Sequence, residues 1–345
     1  MLRVDDLSER ESRVLETIIQ LYVETAEPAG SQAVARACGL GISPASIRNT
    51  MSDLEARGYL YHAHTSGGRI PTDRAYRLYV NRLMRPAPPS ERDRERLESE
   101  LASTSTAIEE ILRRAAQVLG VLTQELGVAV TPTLDAVVLE RLELVRVSSE
   151  RILVVFSLHS GLVRTIFIEV PASVAEDSVD QVTRILNERL AGLSLAEIRS
   201  SLSERLRDAG GSEGGAALLN VFLAQGEELF DFEEPGSGVV LGSAQMLADQ
   251  PEFAANGRIR ELLDLTERRD LLQRAFAAHR RRGLTISIGT ENANARLAEF
   301  TLVTSSYRRG SLTGVLGVLG PTRMPYHKII GLVEQTSRLV EGLMA

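Results

Sequence analysis

The chain has 345 residues, 43% of them hydrophobic and 25% charged, which excludes a disordered or fibrous protein and leaves room for about two to three domains. No apolar run approaches the roughly 18 residues of a membrane helix, and MLRVDDLSER at the start lacks the apolar centre of a secretory signal, so the expected location is the cytoplasm with no membrane partner. A net charge of -7 argues against a nucleic-acid partner only if charge is even, and it is not: residues 36–85 hold eight arginines against three acids, net +5, leaving -12 elsewhere. That segregation suits a small polyanion-binding module attached to an acidic body.

In chain order, SERESRVLETIIQLYVE places Val14, Ile18, Leu21 and Tyr22 on one face of a helix over 8–24 with Ser8 as N-cap. After the breaker AEPAG, a short helix runs from Ser31 as cap to Ala37 and stops at Gly39. Ser43 caps a third helix, with Pro44 at the first position, where a missing N–H costs nothing, and that helix ends at Gly58. YLYHAHTSGGRIPT then alternates into glycines as a small hairpin does, which sketches a winged helix-turn-helix. Thr72 opens a fourth helix with Tyr76, Tyr79, Val80 and Leu83 inward, and RPAPPS breaks the chain.

The expected first domain is 1–85, followed by a helical linker over 86–127. From about 128 the pattern becomes α+β: three strands in AVVLERLELVRVS, RILVVFSLHSG and LVRTIFIEV, helices over 176–190 and 194–207, late strands in LTISIGT, AEFTLVTSSY and SLTGVLGVLGP, and a last helix from Pro325 to Leu343. This order predicts an antiparallel sheet domain in two parts, 128–211 and 282–345, interrupted by an insertion over 212–281. The insertion carries Phe222, Phe230, Phe232, Phe253 and Phe276; the first four are expected to bury apolar area between subunits, the competing reading being that they fill the insertion's own core.

The third helix carries the strongest chemical signal. At 100° per residue Ile47, Met51 and Leu54 face inward, while Ala45, Arg48, Asn49 and Ser52 face outward. Small side chains permit close approach to a DNA groove, and Arg and Asn pair bidentately with guanine and adenine edges. A solvated helix face would also carry such residues. At the hairpin, Arg69 follows Gly67 and Gly68 and is expected to reach a phosphate or the minor groove, with Thr65 and Ser66 as further phosphate donors; an ordinary polar turn has similar residues.

Other chemistries find little support. Cys38 excludes an internal disulfide and reads as a buried structural thiol. His62 and His64 share a strand face but lack a third ligand nearby, so no metal is expected. No nucleophile–base arrangement surrounds His159, His279 or His327, and Lys328 is the only lysine and lies in no phosphate-binding loop, so neither an enzyme nor a cofactor is expected.

The stretch SPASIRNTMSDLEARGYLYHAHTSGGRIPTDRAYRLYVNRLM, with NVFLAQGEELFDF, ISIGTEN and GVLGVLGPTRMPYHKII further on, resembles the HrcA family of heat-inducible transcription repressors over nearly the whole chain. The resemblance implies an N-terminal winged helix-turn-helix, a GAF-like domain and a dimerisation domain inserted within it. It implies a homodimer on double-stranded DNA at an inverted-repeat operator of the type called CIRCE, repressing chaperone operons. Activity is then supported by the GroE chaperonin and lost on heat stress, when unfolded proteins occupy it. By similarity SIRNTM supplies the recognition positions Ser46, Arg48 and Asn49, next to the cap Ser43, and HTSGGRIPT the wing. Related folds often enclose a ligand, so a regulator that senses a small molecule through its GAF-like domain is the alternative.

Overall fold

The computed structural model describes residues 7–62, 68–85, 87–102, 108–132, 137–159, 163–172, 174–209, 213–230, 238–253, 264–280, 283–309 and 312–344. Contacts divide the chain into two compact units. One comprises 1–131, 239–307 and 315–344; the other comprises 132–238 with residues 308–314.

The first unit begins with α1 (Glu9–Thr25), α2 (Ser31–Ala37) and α3 (Pro44–Ala56), followed by the short antiparallel strands β1 (Leu60–His62) and β2 (Arg69–Pro71). Caps explain where these helices start. Ser8 and Glu11 form a reciprocal capping box, and Ser43 Oγ accepts the Ser46 N–H ahead of Pro44. Ser31, expected as a cap, is instead the first helical residue of α2, behind Gly30. α3 stops where Gly58 takes a left-handed φ of 75°, which a side chain would strain. Thr72 caps α4 (Asp73–Leu78), and the chain continues as a π turn through Leu83.

Then come α5 (Glu91–Ala102), α6 (Ile108–Thr123) and β3 (Leu126–Val130). The chain re-enters this unit with β7 (Val239–Leu241), α10 (Gln245–Ala248), α11 (Arg269–Ala277), β8 (Thr285–Ile288), β9 (Phe300–Arg309), β10 (Leu312–Pro321) and α12 (Tyr326–Leu343). Its five-stranded sheet has the order β7-β3-β10-β9-β8. Both faces are covered. Ala129, Ile288, Val303, Leu316 and Val318 join one core with α1, α3, α6 and α12, while Leu126, Val128, Val130, Leu302 and Val315 join another with Leu272 and Phe276 of α11.

The second unit holds β4 (Leu139–Arg146), β5 (Arg151–Leu158) and β6 (Val163–Glu169) as an antiparallel sheet, and α7 (Glu176–Leu190), α8 (Leu195–Leu206) and α9 (Glu213–Leu229). Alternation decides its faces. Leu142, Leu144, Ile152, Val154, Phe156 and Ile168 are buried in one core with Val182, Leu186, Ile198 and Phe222 of the helices. The opposite face leaves Val145, Val163 and Phe167 at 46%, 61% and 54% exposure, with Val145, Leu153 and Phe167 in one cross-strand row.

Two expectations are corrected here. The strands over 139–169 pair only among themselves, so the segment between β3 and β7 that forms its own unit is 132–238, whereas 212–281 was expected. Period-two patterning marks a strand and leaves its partner open. The phenylalanines are also not a shared surface. Phe222 and Phe230 are fully buried in the second unit, Phe230 edge-on to Phe156 at 5.4 Å, whereas Phe253 lies in the first, stacked at 5.7 Å on Phe300. Phe232 lies outside the described residues.

At the end of α6 the Glu125 carboxyl is 1% exposed, its Oε2 lacks a hydrogen-bond partner, and burial pushes its pKa well above the usual carboxylate range. Above about pH 4.3 the unfolded chain ionises this group while the folded chain keeps its proton, so the group costs more stability as pH rises towards its folded pKa. Glu125→Gln is therefore expected to raise the melting temperature at pH 7 and to have no such benefit near pH 4, as thermal unfolding followed by circular dichroism across that range would show.

Candidate nucleic-acid interface

The residues of α3 divide by burial as the helical period demands. Ile47, Thr50, Met51 and Leu54 are buried, while Ala45, Arg48, Asn49, Ser52 and Asp53 are exposed. Ser43 is exposed at the cap, and Ser46, half-buried, sits beneath it with the two hydroxyls 3.2 Å apart. The outward face of small residues around Arg48 and Asn49 is thus a real surface of the chain, with its N-terminal end anchored. Ser52 is partly used: its hydroxyl donates to the Arg48 carbonyl at 3.1 Å.

The rotation of α3 is held by its neighbours. Arg10 of α1 donates from Nη2 to the Ser46 carbonyl at 2.8 Å, and Arg57 at the helix end pairs with Glu11 at 2.9 Å. Arg74 of α4 donates to the Arg57 carbonyl and lies 4.7 Å over the Tyr59 ring. Arg36, in the last turn of α2, and Arg48 are exposed and form no ion pair among the described residues. Sequence reasoning passed over Arg10 as a positioning residue, because its contact spans 36 residues and no local pattern reports it.

The wing root behaves differently from expectation. Arg69 is 9% exposed; its Nε donates to Glu55 at 2.8 Å and its Nη1 lies 3.3 Å from His62 Nε2. Its backbone bridges Ala29 in both directions, at 2.9 and 3.0 Å, so the AEPAG segment adds a third partner to the hairpin. Gly68 is buried there, and a Cβ on it would come within 2.6 Å of the Pro28 carbonyl oxygen. Arg69 and Gly68 therefore hold the hairpin to the helices, and Arg69 in this arrangement does not reach outward. The alternation of the hairpin could not reveal Glu55, which comes from α3. Thr65, Ser66, Gly67 and His64 lie outside the described residues.

No group of three or more metal-ligating side chains occurs among the described residues, and no helix among them is long and apolar enough to cross a membrane. The fold and this surface carry the markings of a DNA-reading head on a larger body.

Comparison with known proteins agrees over most of the chain. Residues 6–83 match the family described as winged helix-turn-helix transcription repressor, HrcA DNA-binding, and residues 109–330 match the HrcA protein C-terminal domain. The heat-inducible transcription repressor HrcA of Chlorobium phaeovibrioides is 39% identical, covering 95% of each chain, and that of Chlorobium phaeobacteroides strain BS1 is 40% identical, covering 95% of this chain and 96% of its own. A crystal structure described only as that of a hypothetical protein superposes with a TM-score of 0.58 at 22% identity, over 98% of this chain and 99% of its own, which shows a shared fold. With both family matches and relatives of this identity along almost its entire length, the chain belongs to the HrcA family of heat-inducible transcription repressors.

Proposed function

We propose that the chain represses chaperone operons as a homodimer that lays α3 of each subunit into the major groove at one half of an inverted-repeat operator. The observation that carries this reading is the outward stripe Ala45, Arg48, Asn49 and Ser52 on a capped helix whose opposite side is fully buried. Arg48 and Asn49 supply base-edge contacts, the Ser43 and Ser46 end lies nearest the backbone, and small side chains let the helix sit deep. The wing is then assigned to the stretch that joins β1 to β2 and carries Thr65, Ser66 and Gly67, which lie outside the described residues. A two-fold assembly presents two such helices, which a palindromic operator mirrors.

The five-stranded sheet with covered faces is the GAF-like body of this proposal, and 132–238 is the inserted dimerisation domain. What supports the second assignment is the cross-strand apolar row Val145, Leu153 and Phe167, of which Val145 and Phe167 are exposed. Each head alone has few cations outside ion pairs, so pairing two of them raises avidity. Release on heating follows if the GroE chaperonin supports the folded repressor and becomes occupied by unfolded clients. The site of action is then the nucleoid within the cytoplasm.

Three outcomes test this reading. In footprints of a chaperone-operon upstream region at several salt concentrations, the inverted repeat is protected in preference to a scrambled duplex; equal affinity for both refutes the assignment. Arg48→Ala weakens operator binding by about 1–3 kcal/mol and relaxes base preference, whereas Arg69→Ala, which leaves Glu55 without its cation, lowers the melting temperature and barely changes the salt slope. Phe167→Asp, on the open sheet face, shifts sedimentation from dimer to monomer and lowers operator affinity, while the helical circular dichroism is retained.

A further inference from the structure

A cleft of about 270 Å³ lies within the first unit, where the reading head meets the sheet domain. Its head-side wall includes Tyr22 of α1, Tyr61 of β1, and Asp73 and Tyr76 of α4; its other wall includes Glu252 and Arg323. Three phenol rings and three carboxylates, Glu299 being the third, thus face a single guanidinium, which leaves the lining with a net charge of two negatives.

That guanidinium is committed to the protein. Arg323 Nε donates to Glu252 at 2.5 Å, Nη1 to the Val23 carbonyl at 2.7 Å, and Nη2 to Gln250 and Glu252, both at 3.0 Å. Four of the five guanidinium N–H groups are taken by these bonds, and an anion entering the cleft would also meet the three carboxylates. Asp73 accepts from the Thr290 N–H at 3.0 Å and its hydroxyl at 3.3 Å, both neutral donors, so its charge is uncompensated by these bonds. The Tyr76 side chain lines the cleft, and its hydroxyl is buried with no hydrogen-bond partner. A buried phenol oxygen in that condition is costly unless something arriving in the cleft satisfies it.

We propose that this cleft is a binding site for a small organic cation, a primary amine or guanidine, which lies against the tyrosine rings, donates to Tyr76 Oη and is balanced by Asp73 and Glu252. Aromatic faces together with carboxylates are the surroundings that favour such a group over a hydrated metal ion, whose strong solvation the rings cannot replace. Because one wall comes from the head and the other from the sheet domain, a bound cation ties the two together and stabilises the docked arrangement.

Agmatine, with a guanidinium at one end and an ammonium at the other, is a suitable probe for isothermal titration calorimetry and thermal shift on the full-length protein. Expected is saturable binding of one molecule per chain and a raised melting temperature, with no comparable effect from potassium chloride at equal ionic strength or from a neutral urea analogue. Tyr76→Phe removes a hydroxyl that makes no hydrogen bond in the fold, so its melting temperature without probe is unchanged or higher. Its agmatine affinity falls about tenfold, the loss of one hydrogen bond to a charged donor. Asp73→Asn also weakens binding, whereas Glu140→Gln on β4 leaves it intact. Absence of saturable binding overturns the proposal, as does binding that Tyr76→Phe and Asp73→Asn leave unchanged, which would be diffuse attraction to an acidic chain. Operator footprints report on α3, so failure here is separable from failure of the repressor assignment.

Discussion

The burial of Ile47, Met51 and Leu54 beneath α3 is the constraint on which the proposed DNA-reading surface depends. A helix can turn about its axis only if its apolar side leaves the core, and each such side chain is worth about 1.5–3 kcal/mol when buried. With that side held, Arg48 and Asn49 can face only outward. The Ser43 cap sets where the helix begins, and Arg10 and Arg57 tie its two ends to α1. The outward face of α3 is therefore a consequence of packing on the opposite side, which gives a short helix the precision that the proposed base contacts would require.

The same head is joined to the sheet domain by a few directional contacts over a shared apolar core. Tyr76 and Tyr326 rings lie 5.8 Å apart, Arg77 pairs with Glu291 and donates to the Ile286 carbonyl at 2.6 Å, and Arg323 reaches the Val23 carbonyl at the end of α1. Such contacts fix an orientation more sharply than they add stability, because each polar pair offsets much of its own desolvation. Among the described residues, the Tyr76 hydroxyl and Glu125 Oε2 at or near this junction are buried without a hydrogen-bond partner.

Charge is divided along functional lines. The head holds exposed Arg36 and Arg48 near α3, while the remainder of the chain is acidic. An acidic body repels bulk nucleic acid, so affinity must come from specific contacts of the head, and the proposed dimer would double them, which favours specificity over non-specific adhesion. Arg69 shows why counting arginines overstates the positive field: its charge is spent on Glu55 inside the hairpin root.

The sequence by itself determined nearly every local feature: the capped helices at Ser8, Ser43 and Thr72, the glycine stop at Gly58, the hairpin, the alternating strands over 139–169 and the outward stripe of α3. Each is written within a few residues, in caps and periods that act through nearest neighbours. Leu126–Val130 escaped notice as a strand because all five residues are buried, which erases alternation. Tertiary structure alone decided strand partnership, and with it that 132–238 is the separate unit and that Phe222 and Phe253 belong to different cores. It also decided that Arg69 turns inward to Glu55 and that Arg10 buttresses α3. Those outcomes depend on which apolar faces and opposite charges meet across long stretches of chain, and no local period or cap records such a choice.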